Sequence, residues 1–146
     1  MPKHIFVVAI IGLSVVGYLF SRTINPGPKQ KSAQYAEAVQ SPDGVYSIGA
    51  VQLWREYNEN EVAADIRYKG QRLSVTGTIV SIERDYEGRP VLHLFGGNAL
   101  FPTTAKLNKA DIPAAARLKK GDEITVRCIG DGWQMRMPQL DRCLML

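Results

Sequence analysis

With 146 residues the chain can bury one core, and once its ends are set aside the remainder suits a single small domain. Its 18 basic and 14 acidic residues give a formal charge of +4, which invites a polyanion partner, but Lys3, Arg22, Lys29 and Lys31 all precede the first acid, Glu37. Setting those aside leaves 14 basic against 14 acidic residues, so the folded part lacks the cationic excess of a phosphate-backbone binder and nucleic acid is not the expected partner.

Residues 5–20, IFVVAIIGLSVVGYLF, form an uncharged run that belongs in a membrane. Sixteen residues as helix reach about 24 Å, short of the bilayer core but workable with snorkelling flanks. No pair of small residues at cleavage spacing follows directly, which favours a signal anchor over residues 1–22; a cleaved signal peptide, with release to the periplasm, is the alternative. A lipoprotein anchor needs a cysteine just after the run, and the first cysteine is Cys128. Residues 23–46, with Pro26, Gly27, Pro28, Pro42 and Gly44 among polar residues, read as a flexible tether. The folded domain is expected over residues 47–146.

Ala50, Leu53, Trp54 and Tyr57 make a helical stripe that loses phase at Asn58–Asn60, where Asn58 and Glu61 match a capping box. A second set, Val62, Ala63 and Ile66, keeps helical spacing up to Lys69-Gly70, a cation and a glycine suited to a helix end. The pattern predicts a helix over residues 48–68, broken near Asn58. Leu73, Val75 and Gly77 then alternate before the parity shifts to Val80 and Ile82, the mark of a long strand bent between two sheets over residues 72–84. A turn at Tyr86-Glu87-Gly88, strands at 90–95 and 99–103, a helix capped by Asp111 with Pro113 in its first turn and running to about Lys119, and strands from Glu123 and Leu140 complete the order. Three strands, a helix and two strands are the order of a five-stranded OB-fold barrel, so the fold class is mainly β with one helix before the barrel and one between its third and fourth strands.

The residues Tyr57, Asn60, Tyr68, Lys69, Gly70, Val75 and Gly77, in a Tyr-Lys-Gly helix end followed by a Val-x-Gly strand, resemble the tRNA_anti-like family of bacterial OB-fold proteins over roughly the last hundred residues. The resemblance implies the barrel and a membrane-anchored or secreted protein, with no established activity carried over.

Folding the last two strands about the connection at residues 131–138 sets Cys128 opposite Cys143 at bridging distance, and family members resemble this chain in carrying cysteines near both positions. A disulfide would place the domain outside the cytoplasm, behind the inner membrane; two free buried thiols are the alternative. The parity of the last strand, with Cys143 on the face of Met145 and against Leu140, Leu144 and Leu146, requires a bulge or a reassigned face.

Catalysis finds no constellation. His93 has no cysteine, histidine or HxxE partner; Asp85 and Glu87 are ordinary turn acids; two cysteines alone make a poor zinc site. The expectation is a non-enzymatic protein without metal or cofactor. OB-folds bind on the face of their second and third strands and in the first and fourth loops, which nominates Arg84, Tyr86, Arg89, His93, Phe95, Trp133 and Arg136 as a ligand surface. The function expected is a membrane-tethered extracytoplasmic module binding a protein, peptide or envelope component, with single-stranded nucleic-acid binding as the alternative.

Overall fold

The computed structural model describes residues 38–146, so the apolar run and its anchor reading lie outside the described residues. Two short strands open the fold, β1 (Val39–Gln40) and β2 (Val45–Gly49), followed by helices α1 (Ala50–Glu59) and α2 (Glu61–Tyr68). Then come β3 (Arg72–Arg84), β4 (Pro90–Leu94), β5 (Thr103–Leu107), a 3-10 turn (Lys109–Asp111), α3 (Ile112–Ala115), β6 (Glu123–Gln134) and β7 (Met137–Met145). β3, β4, β5, β7 and β6 pair in that order, and β6 returns to β3 over Arg72–Thr78, closing the five-stranded barrel. β5 and β7 run parallel and the other barrel pairs antiparallel.

The bend in β3 explains how one strand serves two partners. Its first half, carrying buried Leu73 and Val75, pairs with β6; beyond Ile79 it pairs with β4, and the extra residue at the switch is Val80. This is the parity change visible in the sequence. At Gly77 a Cβ would stand 2.8 Å from that of Ala50 and 3.2 Å from that of Leu94, so the glycine lets α1 start directly on the barrel wall.

Several boundaries differ from expectation, each for a local reason. Ordered structure begins before residue 46, within the stretch expected to be a tether: β2 lies parallel to β3 along the edge that β4 leaves open, Val45 is buried, and the Arg72 guanidinium donates to the Asp43 carbonyl. Ile48 therefore belongs to a strand, and the helix begins at Ala50. The helical break is capped by Asn60 rather than Asn58, its side chain accepting from the Ala63 N–H at 3.1 Å. Val62 and Ile66 are not core residues, being 71% and 80% exposed; Ala64 and Tyr68 form the buried face of α2. The third barrel strand starts at Thr103, four residues late, because Pro102 lacks an N–H and the Thr103 hydroxyl donates to the Ala50 carbonyl at 3.2 Å. α3 ends at Ala115 instead of near Lys119, and Asp111 closes a box with Asn108 one turn before the expected cap.

At the end of α2 the backbone touches the barrel. Gly70 N–H donates to the Gly130 carbonyl at 2.8 Å, Gly130 N–H to the Gln71 carbonyl at 3.0 Å, and a Cβ on Gly130 would fall 2.2 Å from the Tyr68 oxygen. Cys128 and Cys143 are joined, with Cα atoms 4.1 Å apart. The β6–β7 register shifts between Arg127 and Ile129, where Arg142 (φ 49°) is the extra residue, so Leu140 and Cys143 both face inward. This is the bulge that strand parity demanded.

Candidate functional site

The nominated residues fall into two groups on opposite loops. Around the β3–β4 loop the Asp85 carboxylate accepts from the backbone N–H groups of Glu87 and Arg89, and Gly88 (φ 77°) closes the turn. The Arg89 guanidinium then lies 2.8 Å from Asp85, 3.1 Å from Glu87 and 3.3 Å from Asp141 on β7. Burial works to raise the Asp85 carboxyl, but the hydrogen bonds from the Arg89 backbone and guanidinium outweigh it and hold the group below the usual carboxylate range. The same hydrogen bond to Asp85 raises Arg89. Arg89 is therefore a clamp tying the loop to β7, not a free cation.

Next to it, His93 points off the outer face of β4 with Glu83 3.7 Å from Nε2 and the Thr104 hydroxyl 3.5 Å from Nδ1. Tyr86 is 95% exposed at the loop tip, and exposed Arg84 borders a cavity with Ile82, Pro90 and Ile112. On this face of the barrel the carboxylates Asp85, Glu87 and Asp141 surround the cation that would have met a ligand phosphate, and Glu83 lies beside His93.

The β6–β7 turn is built differently. Met135 (φ 52°) and Arg136 (φ 65°) both sit in the left-handed region, as a two-residue type I′ hairpin requires, with no glycine or asparagine to relieve it. The turn places the Arg136 guanidinium 4.9 Å from the centre of the Phe101 ring, while the Arg136 carbonyl accepts from the Trp54 indole at 3.1 Å. Trp133 is stacked on Tyr57, with ring centres 5.5 Å apart and planes at 5°, and lies 6.4 Å from Trp54. It is thus a half-buried anchor between barrel and helix.

This end shows large apolar side chains to solvent beside the exposed Arg136: Met135 is 85% exposed, Leu100 78% and Phe95 38%. The β4–β5 loop that carries Leu100 and Phe101 packs on α1, since a Cβ at Gly96 would stand 3.0 Å from Trp54 and 3.1 Å from the Phe101 carbonyl. Trp54, Leu100, Phe101 and Met135 were not nominated from sequence. Trp54 reads as one more member of a helical stripe, and the Met-Arg turn carries none of the usual hairpin signals.

Beneath this surface the Tyr57 hydroxyl is buried without a hydrogen-bond partner among the described residues; burial, then the Asp65 charge, drives its pKa far up. Tyr68 is raised in the same direction by burial and by the hydrogen bond its hydroxyl donates to Glu56 at 2.6 Å. Among the described residues no group of three His, Cys, Asp or Glu side chains could hold a metal ion, and no helix is long and apolar enough to cross a membrane.

A crystal structure from Klebsiella pneumoniae subsp. pneumoniae MGH 78578, titled a "putative nucleic acid-binding lipoprotein", has the same fold: 19% identity, a TM-score of 0.57, covering 68% of this chain and 90% of that one. No curated protein matches. The tRNA_anti-like family model matches residues 1–144, and the chain belongs to that family.

Proposed function

We propose that this protein is a non-catalytic, membrane-tethered extracytoplasmic OB-fold module whose ligand is a protein or peptide, met at the aromatic end formed by the β4–β5 loop, the β6–β7 turn and α1. One observation carries the reading: the barrel face on which an OB-fold holds a polyanion is neutralised from within, with Arg89 shared by Asp85, Glu87 and Asp141. The exposed trio of Met135, Leu100 and Phe95 supplies the apolar contact area that a protein interface needs. Membrane tethering is supported by residues 5–20 and extracytoplasmic placement by the disulfide. The crystal-structure neighbour is called a lipoprotein, which agrees with an envelope location, although its lipid attachment would need a cysteine this chain lacks before Cys128. That neighbour's title also favours the second reading, single-stranded nucleic-acid binding, for which Arg136 and the surrounding aromatics would be the stacking platform.

A photo-reactive residue at Met135 in the full chain should give a discrete protein adduct in cells that is lost with Leu100→Ser. The same group at Tyr86 should not. Adducts only to nucleic acid, or equal protein adducts from both positions, would overturn the proposal.

A further inference from the structure

We infer that the α3 pole of the barrel docks on an anionic lipid surface. This rests on the tethering proposed above but concerns a different face of the domain. Between the end of β3, the start of β4 and α3 lies a cavity of about 320 Å³ floored by Ile82, Pro90, Ile112 and Ala115, with Arg84 on its rim beside Glu83, whose carboxylate lies 3.7 Å from His93. Lys109, Arg117, Lys119 and Lys120 are exposed on the 3-10 turn before α3 and on the connection after it.

Among the described residues none of these five cations has a carboxylate within ion-pairing distance. The acids of the same segment are turned to the backbone instead: Asp111 accepts from the Asn108 N–H at 3.2 Å and Asp122 from the Lys119 N–H at 2.8 Å. Elsewhere Arg67 is engaged by Glu56, Lys69 by Asp65 and Arg89 by its three acids, and the cations without an acid, such as Lys106 and Arg127, are scattered along separate strands. Five cations without a carboxylate partner thus gather at one pole, in excess over the acids Glu83, Asp111, Asp122 and Glu123 of the same region.

Positive charge around an apolar floor fits an amphiphile with an anionic head. A bilayer supplies phosphate to the rim and hydrocarbon to the floor, whereas a phosphodiester strand would satisfy the cations and leave the floor wet. Tyr86, exposed on the adjoining loop, is the kind of amphipathic ring that seats at a membrane interface. Residues 21–37 can span at most about 60 Å, enough for this pole to face the bilayer, and tethering raises the local concentration so that a weak surface contact suffices.

The test uses the full chain reconstituted in vesicles of phosphatidylcholine alone or with added phosphatidylglycerol, reading lysine acetylation rates by mass spectrometry. Lys109, Lys119 and Lys120 should react about fivefold more slowly on anionic vesicles, with added salt restoring the rate and Lys69 unchanged. Arg84→Gln with Arg117→Gln should remove the protection while leaving the melting temperature and Lys69 reactivity as they were. Equal rates on the two vesicles, or protection that survives the double substitution, overturn the inference. So does an oligonucleotide that protects these lysines on neutral vesicles better than anionic lipid does. A chain that washes off in alkaline carbonate overturns the tether reading and this inference with it; retention without protection overturns this inference alone.

Discussion

At the β3–β4 loop three carboxylates surround one guanidinium, whereas at the β6–β7 turn a guanidinium lies on a phenyl ring among aromatic and aliphatic side chains. Both loops lie where OB-folds commonly bind, yet only the second leaves its chemistry unspent. In the first, arginine and acids satisfy one another and fix the loop against β7. In the second, stacking of Trp133 on Tyr57 and its tilted contact with Trp54 hold the turn, and Met135 and Leu100 remain free to meet a partner. The residue types alone do not distinguish a ligand contact from a structural clamp; their partners do.

The largest effect should come from breaking the seam between α2 and the β6–β7 hairpin. Gly130→Ala puts a Cβ into the Tyr68 carbonyl and should cost about 3 kcal/mol or more by urea denaturation, if the variant folds at all. Replacing Cys128 and Cys143 together by alanine opens a loop of sequence separation 15 and should cost about 3 kcal/mol, with the same loss on reducing the native protein. Trp133→Ala should cost about 2–3 kcal/mol and be insensitive to salt, because apolar stacking is what is lost.

Smaller effects sharpen the contrast. Met135→Asn with Arg136→Gly should stabilise the protein by about 1 kcal/mol by urea denaturation, since the positive φ values are relieved. Arg89→Ala should destabilise less than Trp133→Ala, and its effect should shrink in salt. Because the folded Asp85 carboxyl lies below its unfolded value, the clamp's contribution is present above the unfolded pKa, near 4, and is lost as pH falls through the folded one. Tyr57 and Tyr68 behave in the opposite sense. Raised by burial, they favour the fold fully below about pH 10, and that contribution is lost as pH climbs towards their folded values. Stability against pH, followed by circular dichroism in wild type and Arg89→Ala, separates the two ends.

The barrel was legible where periodicity and register were local. Leu73, Val75 and Gly77 give the bent strand, and Cys128 and Cys143 fall opposite one another once the last two strands form a hairpin. What failed needed knowledge of neighbours. Val45 looks like a tether residue until β3 offers it an edge, and Val62 and Ile66 look like core until α2 turns Ala64 and Tyr68 inward. Arg89 was nominated for its charge, but Asp141, which removes that charge from use, lies fifty-two positions away. The balanced count of acids and bases likewise said nothing of which cations at the α3 end lack a carboxylate partner.

The most direct measurement is fluorescence anisotropy of labelled single-stranded oligonucleotides titrated with residues 38–146 at near-physiological salt, so that Lys3, Arg22, Lys29 and Lys31 cannot bind on their own account. A barrel face neutralised by Asp85, Glu87 and Asp141 should give no saturable binding at micromolar protein. A dissociation constant of about a micromolar or tighter, weakened by Tyr86→Ala and by Arg136→Ala, would contradict the protein-binding reading and put nucleic acid in its place.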